Sequence, residues 1–143
     1  MLIGTYPGIL SPKRRTAIPK KFLDEIGQSL VVAKWYEGCL VLVSKQAWIA
    51  LLTRITGEAR TVVASVRDTE RFILGSAFEI ACDSQGRTVL PANLCTYAGL
   101  SKNVVYLGLG DRVEIWNQEI WEAKEKTIAK EAAKTLENLA NAK

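Results

Sequence analysis

An internal repeat restricts the fold of this 143-residue chain more than any other feature of its sequence. The segment SPKRRTAIP at 11–19 aligns without gaps to DSQGRTVLP at 83–91, and the paired positions differ by 72 throughout. Further matches follow in the same order: Gly27 with Gly99 and, after one added residue, Val31 with Val104 and Trp48 with Trp121. A unit of roughly 45 residues buries too little apolar surface to be stable alone. We therefore expect the two copies to pack around a shared core.

Each copy predicts the same order of elements at its start. An extended segment precedes the motif, at 5–10 and at 77–82, and a turn follows in which Gly86 is suited to a positive φ. A short strand with branched residues then returns from the turn. The next element is a short helix with a proline as its first residue and a glycine at its end, Pro19 with Gly27 and Pro91 with Gly99.

A β-hairpin and a longer helix complete each copy. Hairpin strands are predicted at 30–36 and 39–43 in the first copy, and at 103–109 and 112–116 in the second. Ser44 and Asn117 are good N-caps for the helices that follow. These helices carry the matched Trp48 and Trp121, which we interpret as packing anchors rather than platforms for base stacking.

The pattern predicts an α+β fold in which the two repeats pair into one pseudo-twofold, barrel-like domain with peripheral helices. Helix is predicted between the repeats at about 45–75, with a break near Gly57, and again in the tail. The expected organisation is a first repeat at 1–50, a helical connector at 51–75, a second repeat at 76–121 and a C-terminal helical tail at 122–143.

Composition argues against an enzyme. The chain has no histidine, which removes the Ser-His-Asp and Cys-His nucleophile arrangements and the most common general base and metal ligand. Cys39, Cys82 and Cys95 lack metal-ligand or disulfide spacing, so we expect buried core thiols, no zinc site and a reducing compartment. No catalytic residue, metal or cofactor is expected. Neither a membrane span nor a signal peptide is expected, which predicts a cytoplasmic protein.

The positive charge of the chain is concentrated in one window. Residues 11–21 contain five basic residues and no acid, while the rest of the chain has 14 basic and 15 acidic residues. Such a cluster attracts polyanions, although a solvated turn has the same composition. The candidate DNA-binding residues are Lys13, Arg14, Arg15, Lys20, Lys21 and Arg87.

The two arginines of the repeat differ in their alternatives. Arg87 follows Asp83 by four residues, so an internal ion pair and a nucleic-acid contact are both open for it. Arg15 has Ser11 at the matching position, which favours nucleic acid. Arg14 and Lys13 are expected at the loop tip, where an arginine fork suits guanine N7 and O6. Lys20 and Lys21 begin a helix, where cations oppose the helix dipole and free N–H groups attract anions.

The ordered pair of motifs, with its flanking residues, resembles the MraZ family of AbrB/SpoVT-type swapped-hairpin DNA-binding proteins. The flanks that carry the resemblance are MLIGTY at 1–6, GCL at 38–40, YAGL at 97–100 and EIW at 114–116. The resemblance implies two tandem swapped-hairpin units. It also implies a bacterial transcription regulator, associated with the nucleoid, that assembles as a ring. Such a ring binds direct repeats in double-stranded DNA upstream of its own gene, at the start of the division and cell-wall gene cluster.

One copy departs from the Asp-x-x-x-Arg motif of that family. The motif falls on Asp83 and Arg87 in the second copy, but on Ser11 and Arg15 in the first, where Arg14 also replaces the turn glycine. Because positive φ disfavours a non-glycine residue, we expect a differently shaped first turn. The lost acid makes that turn a better phosphate site. The alternatives are an AbrB-like antitoxin that also binds a protein toxin and, less compatible with the composition, an enzyme with a carboxylate site.

Overall fold

The computed structural model describes residues 1–57 and 62–142, and within these ranges it is an α+β fold. Its strands are β1 (Leu2–Ile9), β2 (Arg15–Ala17), β3 (Ser29–Lys34), β4 (Leu40–Ser44), β5 (Phe78–Ala81), β6 (Arg87–Val89), β7 (Asn103–Gly110) and β8 (Val113–Asn117). Its α-helices are α1 (Lys20–Ile26), α2 (Lys45–Thr56), α3 (Ala64–Ile73), α4 (Ala92–Tyr97) and α5 (Gln118–Asn141). Single 3₁₀ turns lie at Tyr36–Gly38 and Leu74–Ser76.

The two copies of the repeat contribute strands to the same sheets. Six antiparallel strands form one sheet in the order β1-β7-β8-β4-β3-β5. The edge strands pair with the other half of the chain, β1 with β7 and β5 with β3. Strands β2 and β6 form a separate two-stranded antiparallel ribbon in which Thr16 lies opposite Thr88. Neither half can therefore leave the other without breaking both sheets.

Strand register corrects one part of the sequence alignment. Ser44 pairs with Leu30, and its counterpart Asn117 pairs with Val104, so Leu30 occupies the position of Val104. The expected match of Val31 with Val104 was wrong by one residue. Leu30 and Val104 both belong to the same core, and a one-residue slip would turn the strand's side chains to the opposite face. Compared with the first copy, the second has two more residues between the glycine after its short helix and its hairpin, and one residue fewer in the hairpin loop.

Both faces of the six-stranded sheet are covered. One face packs on the ribbon, α1 and α4, with Phe22, Leu94 and Tyr106 among its fully buried side chains. The other face packs on α2, α3 and the start of α5. Trp48 is buried there, and Trp121 packs against Trp116 with ring centroids 5.3 Å apart. The prediction that the matched tryptophans are packing residues is confirmed.

Local signals at the helix ends are largely confirmed. The Ser44 hydroxyl accepts from Ala47 N at 3.1 Å, and Asn117 Oδ1 accepts from Ile120 N at 3.1 Å. The predicted break after α2 lies at Gly57, which has a φ of 65°, and residues 58–61 of the connector lie outside the described residues.

The two prolines are N-caps, so the prediction that they are the first helical residues was wrong. Their ψ angles of 134° and 139° are extended, so both prolines lie outside the helix.

Cys39, Cys82 and Cys95 are buried and unpaired, as predicted. In the part of the chain that the structure describes, no helix is long and apolar enough to cross a membrane.

Candidate nucleic-acid interface

The two motif turns, residues 11–15 (the first turn) and 83–87 (the second turn), have the same backbone hydrogen bonds. Ser11 N donates to Arg15 O at 2.9 Å and Asp83 N to Arg87 O at 3.1 Å. Inside each turn, Arg14 N donates to Ser11 O at 2.8 Å and Gly86 N to Asp83 O at 2.9 Å. Arg14 has a φ of 62° and Gly86 a φ of 80°. The expectation of a differently shaped first turn was therefore wrong.

Hydrogen bonds to Leu90 hold Arg14 in this unfavourable conformation. Leu90 N donates to Arg14 O at 2.9 Å, and Arg14 Nε donates back to Leu90 O at 3.0 Å. In the second turn Ile18 N donates to Gly86 O at 2.9 Å. Arg14 is half-buried, and its side chain is directed to Leu90 of the other half of the chain. The sequence had predicted that it lies at an exposed loop tip.

Ser11 takes over the turn-forming hydrogen bond of the aspartate but not its charge. Ser11 Oγ accepts from Arg15 N at 3.0 Å, as Asp83 Oδ1 accepts from Arg87 N at 3.0 Å. Asp83 Oδ2 also accepts from Arg87 Nε at 2.7 Å. The backbone and side-chain hydrogen bonds of Arg87 lower the pKa of Asp83. Within residues 1–57 and 62–142, no acid forms an ion pair with Arg15.

Both arginines lie on the exposed face of the β2–β6 ribbon. The pairs across the ribbon are Arg15 with Val89 and Ala17 with Arg87. All four of these residues are exposed, while Thr16 and Thr88 point inward and are buried. Because alternate residues of a strand share a face, the two arginines stand diagonally across one surface. They line one depression together with Asp83 and Val89.

Buried hydroxyl groups attach the ribbon to the sheet. The Tyr106 hydroxyl in β7 is hydrogen-bonded to Thr16 Oγ1 across the core. Thr88 Oγ1 donates to Ala81 O at 3.0 Å in the other half. Burial raises the pKa of Tyr106 to about 12. These contacts were missed by sequence reasoning, since no local signal pairs a strand residue with a hydroxyl 90 positions away.

The remaining candidate lysines make the first turn and the beginning of α1 more basic than the matching part of the second copy. Lys13, Lys20 and Lys21 are exposed, the last two at the beginning of α1. Their counterparts in the repeat are Gln85, Ala92 and Asn93, which carry no charge. No described acid forms an ion pair with any of these three lysines. No group of three or more Cys, Asp or Glu residues within the described ranges is placed to hold a metal.

This duplicated α+β chain has exposed arginine side chains on its two-stranded ribbon, as in the class of proteins that can bind a polyanion. The family model described as "MraZ protein, putative antitoxin-like" matches residues 73–141. A relative named "Transcriptional regulator MraZ" from Syntrophomonas wolfei is 40% identical over 121 residues, which cover 85% of this chain and 84% of the relative. One of the same name from Caldanaerobacter subterraneus is 33% identical over 144 residues, which cover 99% and 98%. A third, from Thermoanaerobacter sp., is 37% identical over 125 residues and 85% of each chain. The chain belongs to the MraZ family.

Proposed function

We propose that this chain is a sequence-specific DNA-binding transcription regulator. The observation that carries the proposal is the exposed ribbon face with Arg15 and Arg87, next to exposed lysines without acidic partners. The name shared by the relatives supports the same function. The proposal assigns the chain no catalytic role, cofactor or small-molecule substrate.

The ribbon suits a DNA duplex in shape as well as in charge. The major groove of B-DNA admits a two-stranded β-ribbon, and its base edges carry a distinct pattern of donors and acceptors. The exposed ribbon face has two small apolar side chains, Ala17 and Val89, between its arginines. Such a face can approach base edges closely, while Lys13, Lys20 and Lys21 lie close by in the chain for the phosphates.

We further propose that the protein acts as a ring of identical subunits bound to direct repeats. One ribbon of three residues per strand offers few contacts, so a single subunit should bind weakly. A ring that presents several ribbons to consecutive repeats gains affinity through effective concentration. The proposed DNA is the segment upstream of the chain's own gene, in the division and cell-wall gene cluster, with the protein in the cytoplasm on the nucleoid.

The proposed architecture is the tandem swapped hairpin, with repeats at 1–50 and 76–121, a helical connector at 51–75 and a tail at 122–143. The pairing of each edge strand with the opposite half supports this description. So does the symmetry of the ribbon, in which Arg15 pairs with Val89 as Arg87 pairs with Ala17.

Fluorescence anisotropy with a duplex from upstream of the chain's own gene tests the proposal. A shuffled duplex of equal length and composition is the control, and both are titrated over a range of salt. We expect tighter binding to the native duplex, with affinity that falls steeply as salt rises. Equal binding to both duplexes, or binding to neither, would contradict a sequence-specific regulator.

A second candidate is an antitoxin that binds a protein toxin as well as its promoter. Two observations favour it: the antitoxin-like description of the family model, and the exposed apolar side chains along α5. On this helix of 24 residues, Ile128 is 48% exposed, Leu136 67% and Leu139 64%. The gene neighbourhood separates the two functions, since an antitoxin requires an adjacent toxin gene and the regulator requires cell-wall synthesis genes.

A further inference from the structure

The two turns share a backbone but differ in whether an acid holds the arginine. In the second turn Asp83 Oδ1 accepts from Gln85 N at 2.9 Å and from Arg87 N at 3.0 Å. Its other oxygen, Oδ2, accepts from Arg87 Nε at 2.7 Å. The carboxylate is therefore fixed by the backbone, and it fixes the guanidinium in turn. In the first turn Ser11 provides the backbone contact alone.

The geometry of this ion pair leaves the outer edge of the Arg87 guanidinium available for a ligand. The hydrogen bond engages Nε, so the edge formed by Nη1 and Nη2 can still donate to a further acceptor. That edge is a fork of two parallel donors, and it matches O6 and N7 of guanine. Both side chains remain accessible, with 55% of Arg87 and 42% of Asp83 exposed. Holding the long side chain in place before binding reduces the conformational entropy lost on binding.

The charges of the two turns also suit them to different groups of the DNA. Asp83 and Arg87 together carry no net charge, and a carboxylate repels a phosphate that approaches it. The base edge of guanine has no net charge, so the same carboxylate repels it less than it repels a phosphate. The first turn has Lys13 and Arg15 with no described acid as an ion-pair partner, which suits it to phosphates.

We propose that the two turns divide the work of DNA recognition, with Arg87, oriented by Asp83, reading a guanine and the first turn holding the phosphate backbone. This inference rests on the proposed function. Both arginines lie on one ribbon face, so a single approach to the major groove serves both tasks. The repeat is thus symmetric in its fold and asymmetric in its contacts with DNA.

The test uses the full-length protein and the duplex from upstream of its own gene, with guanines replaced one at a time by 7-deazaguanine. This base keeps O6 but has C–H in place of N7, so it removes one acceptor of the fork without changing base pairing. For the unchanged protein we expect at least one guanine whose replacement weakens binding by about ten-fold. Arg87→Met keeps a long unbranched side chain but removes every donor, and should lose this sensitivity because no group remains at this position to donate to guanine N7.

Two matched exchanges between the turns complete the experiment. Asp83→Ser copies the first turn, and should reduce the 7-deazaguanine sensitivity while steepening the slope of log affinity against log salt by about one. Ser11→Asp copies the second turn, and should leave the sensitivity unchanged while making the slope shallower by about one. Thermal unfolding of each variant verifies that the fold is retained.

The failures of the two proposals are distinguishable. If the unchanged protein does not prefer the native duplex, the proposed function itself fails. If it does prefer that duplex, but no guanine is sensitive, or the sensitivity persists in Arg87→Met, then the division of work between the turns is refuted and the DNA-binding function remains.

Discussion

The hydrogen bond between Tyr106 and Thr16 should contribute measurably to the attachment of the β2–β6 ribbon to the six-stranded sheet. Tyr106 is 0% exposed and Thr16 is 3% exposed, so water cannot replace the lost partner if one hydroxyl is removed. Leaving a buried hydroxyl unsatisfied costs about 1–3 kcal/mol. We therefore expect Tyr106→Phe to lower the free energy of unfolding by about 1–3 kcal/mol.

Urea unfolding at constant protein concentration, followed by the fluorescence of the four tryptophans, measures this change. Tyr6→Phe is the matched control, because Tyr6 packs edge-on against Phe22 and no hydrogen bond of its hydroxyl is found within the described residues. Thr16→Val combined with Tyr106→Phe removes both partners, and should be less destabilising than the sum of the single changes. If Tyr106→Phe were no more destabilising than Tyr6→Phe, the reasoning about the attachment would be refuted.

Three further predictions concern pH, the first turn and the helix caps. Burial raises the pKa of Tyr106 from 10.0 to about 12, so this tyrosine loses its proton at lower pH in the unfolded chain than in the folded protein. The stability of the protein should therefore fall as pH rises between these two values, and should fall less in Tyr106→Phe. Equal losses of stability in both proteins would contradict this prediction. Arg14→Ala should mainly lower the melting temperature, because it removes the hydrogen bond from Arg14 Nε to Leu90 O. Arg15→Ala should mainly lower the affinity for DNA at low salt. The opposite pattern in the two variants would contradict these assigned roles. Asn117→Ala should cost about 1 kcal/mol or more in urea unfolding, because it removes both the cap of α5 and the hydrogen bond from Asn117 Nδ2 to Gly99 O. Exposed Asn138→Ala is the control and should change stability little.

Several features were predictable from the sequence because they depend on neighbouring residues. The caps at Ser44 and Asn117, the break at Gly57 and the positive φ of Gly86 each follow from the chemistry of a residue within its own few positions. The repeat likewise predicted the order of strands and helices and the concentration of positive charge. These signals are local, and tertiary contacts reinforce them.

Tertiary structure decided what distant residues do to each other. The conformation of Arg14 is held by Leu90, 76 positions away, so a residue disfavoured at positive φ still forms the same turn as Gly86. The register of Leu30 follows from the core it enters, and the link from Thr16 to Tyr106 exists only because β2 lies over β7. Hydrogen bonds and packing between distant segments overcome a local cost when the fold brings both partners together. The sequence by itself therefore determined the duplicated elements, the charge and the acid that precedes Arg87 but not Arg15. Only the tertiary structure decided the conformation of Arg14 and placed Arg15 and Arg87 on one face of the ribbon, because both depend on contacts between the two halves of the chain.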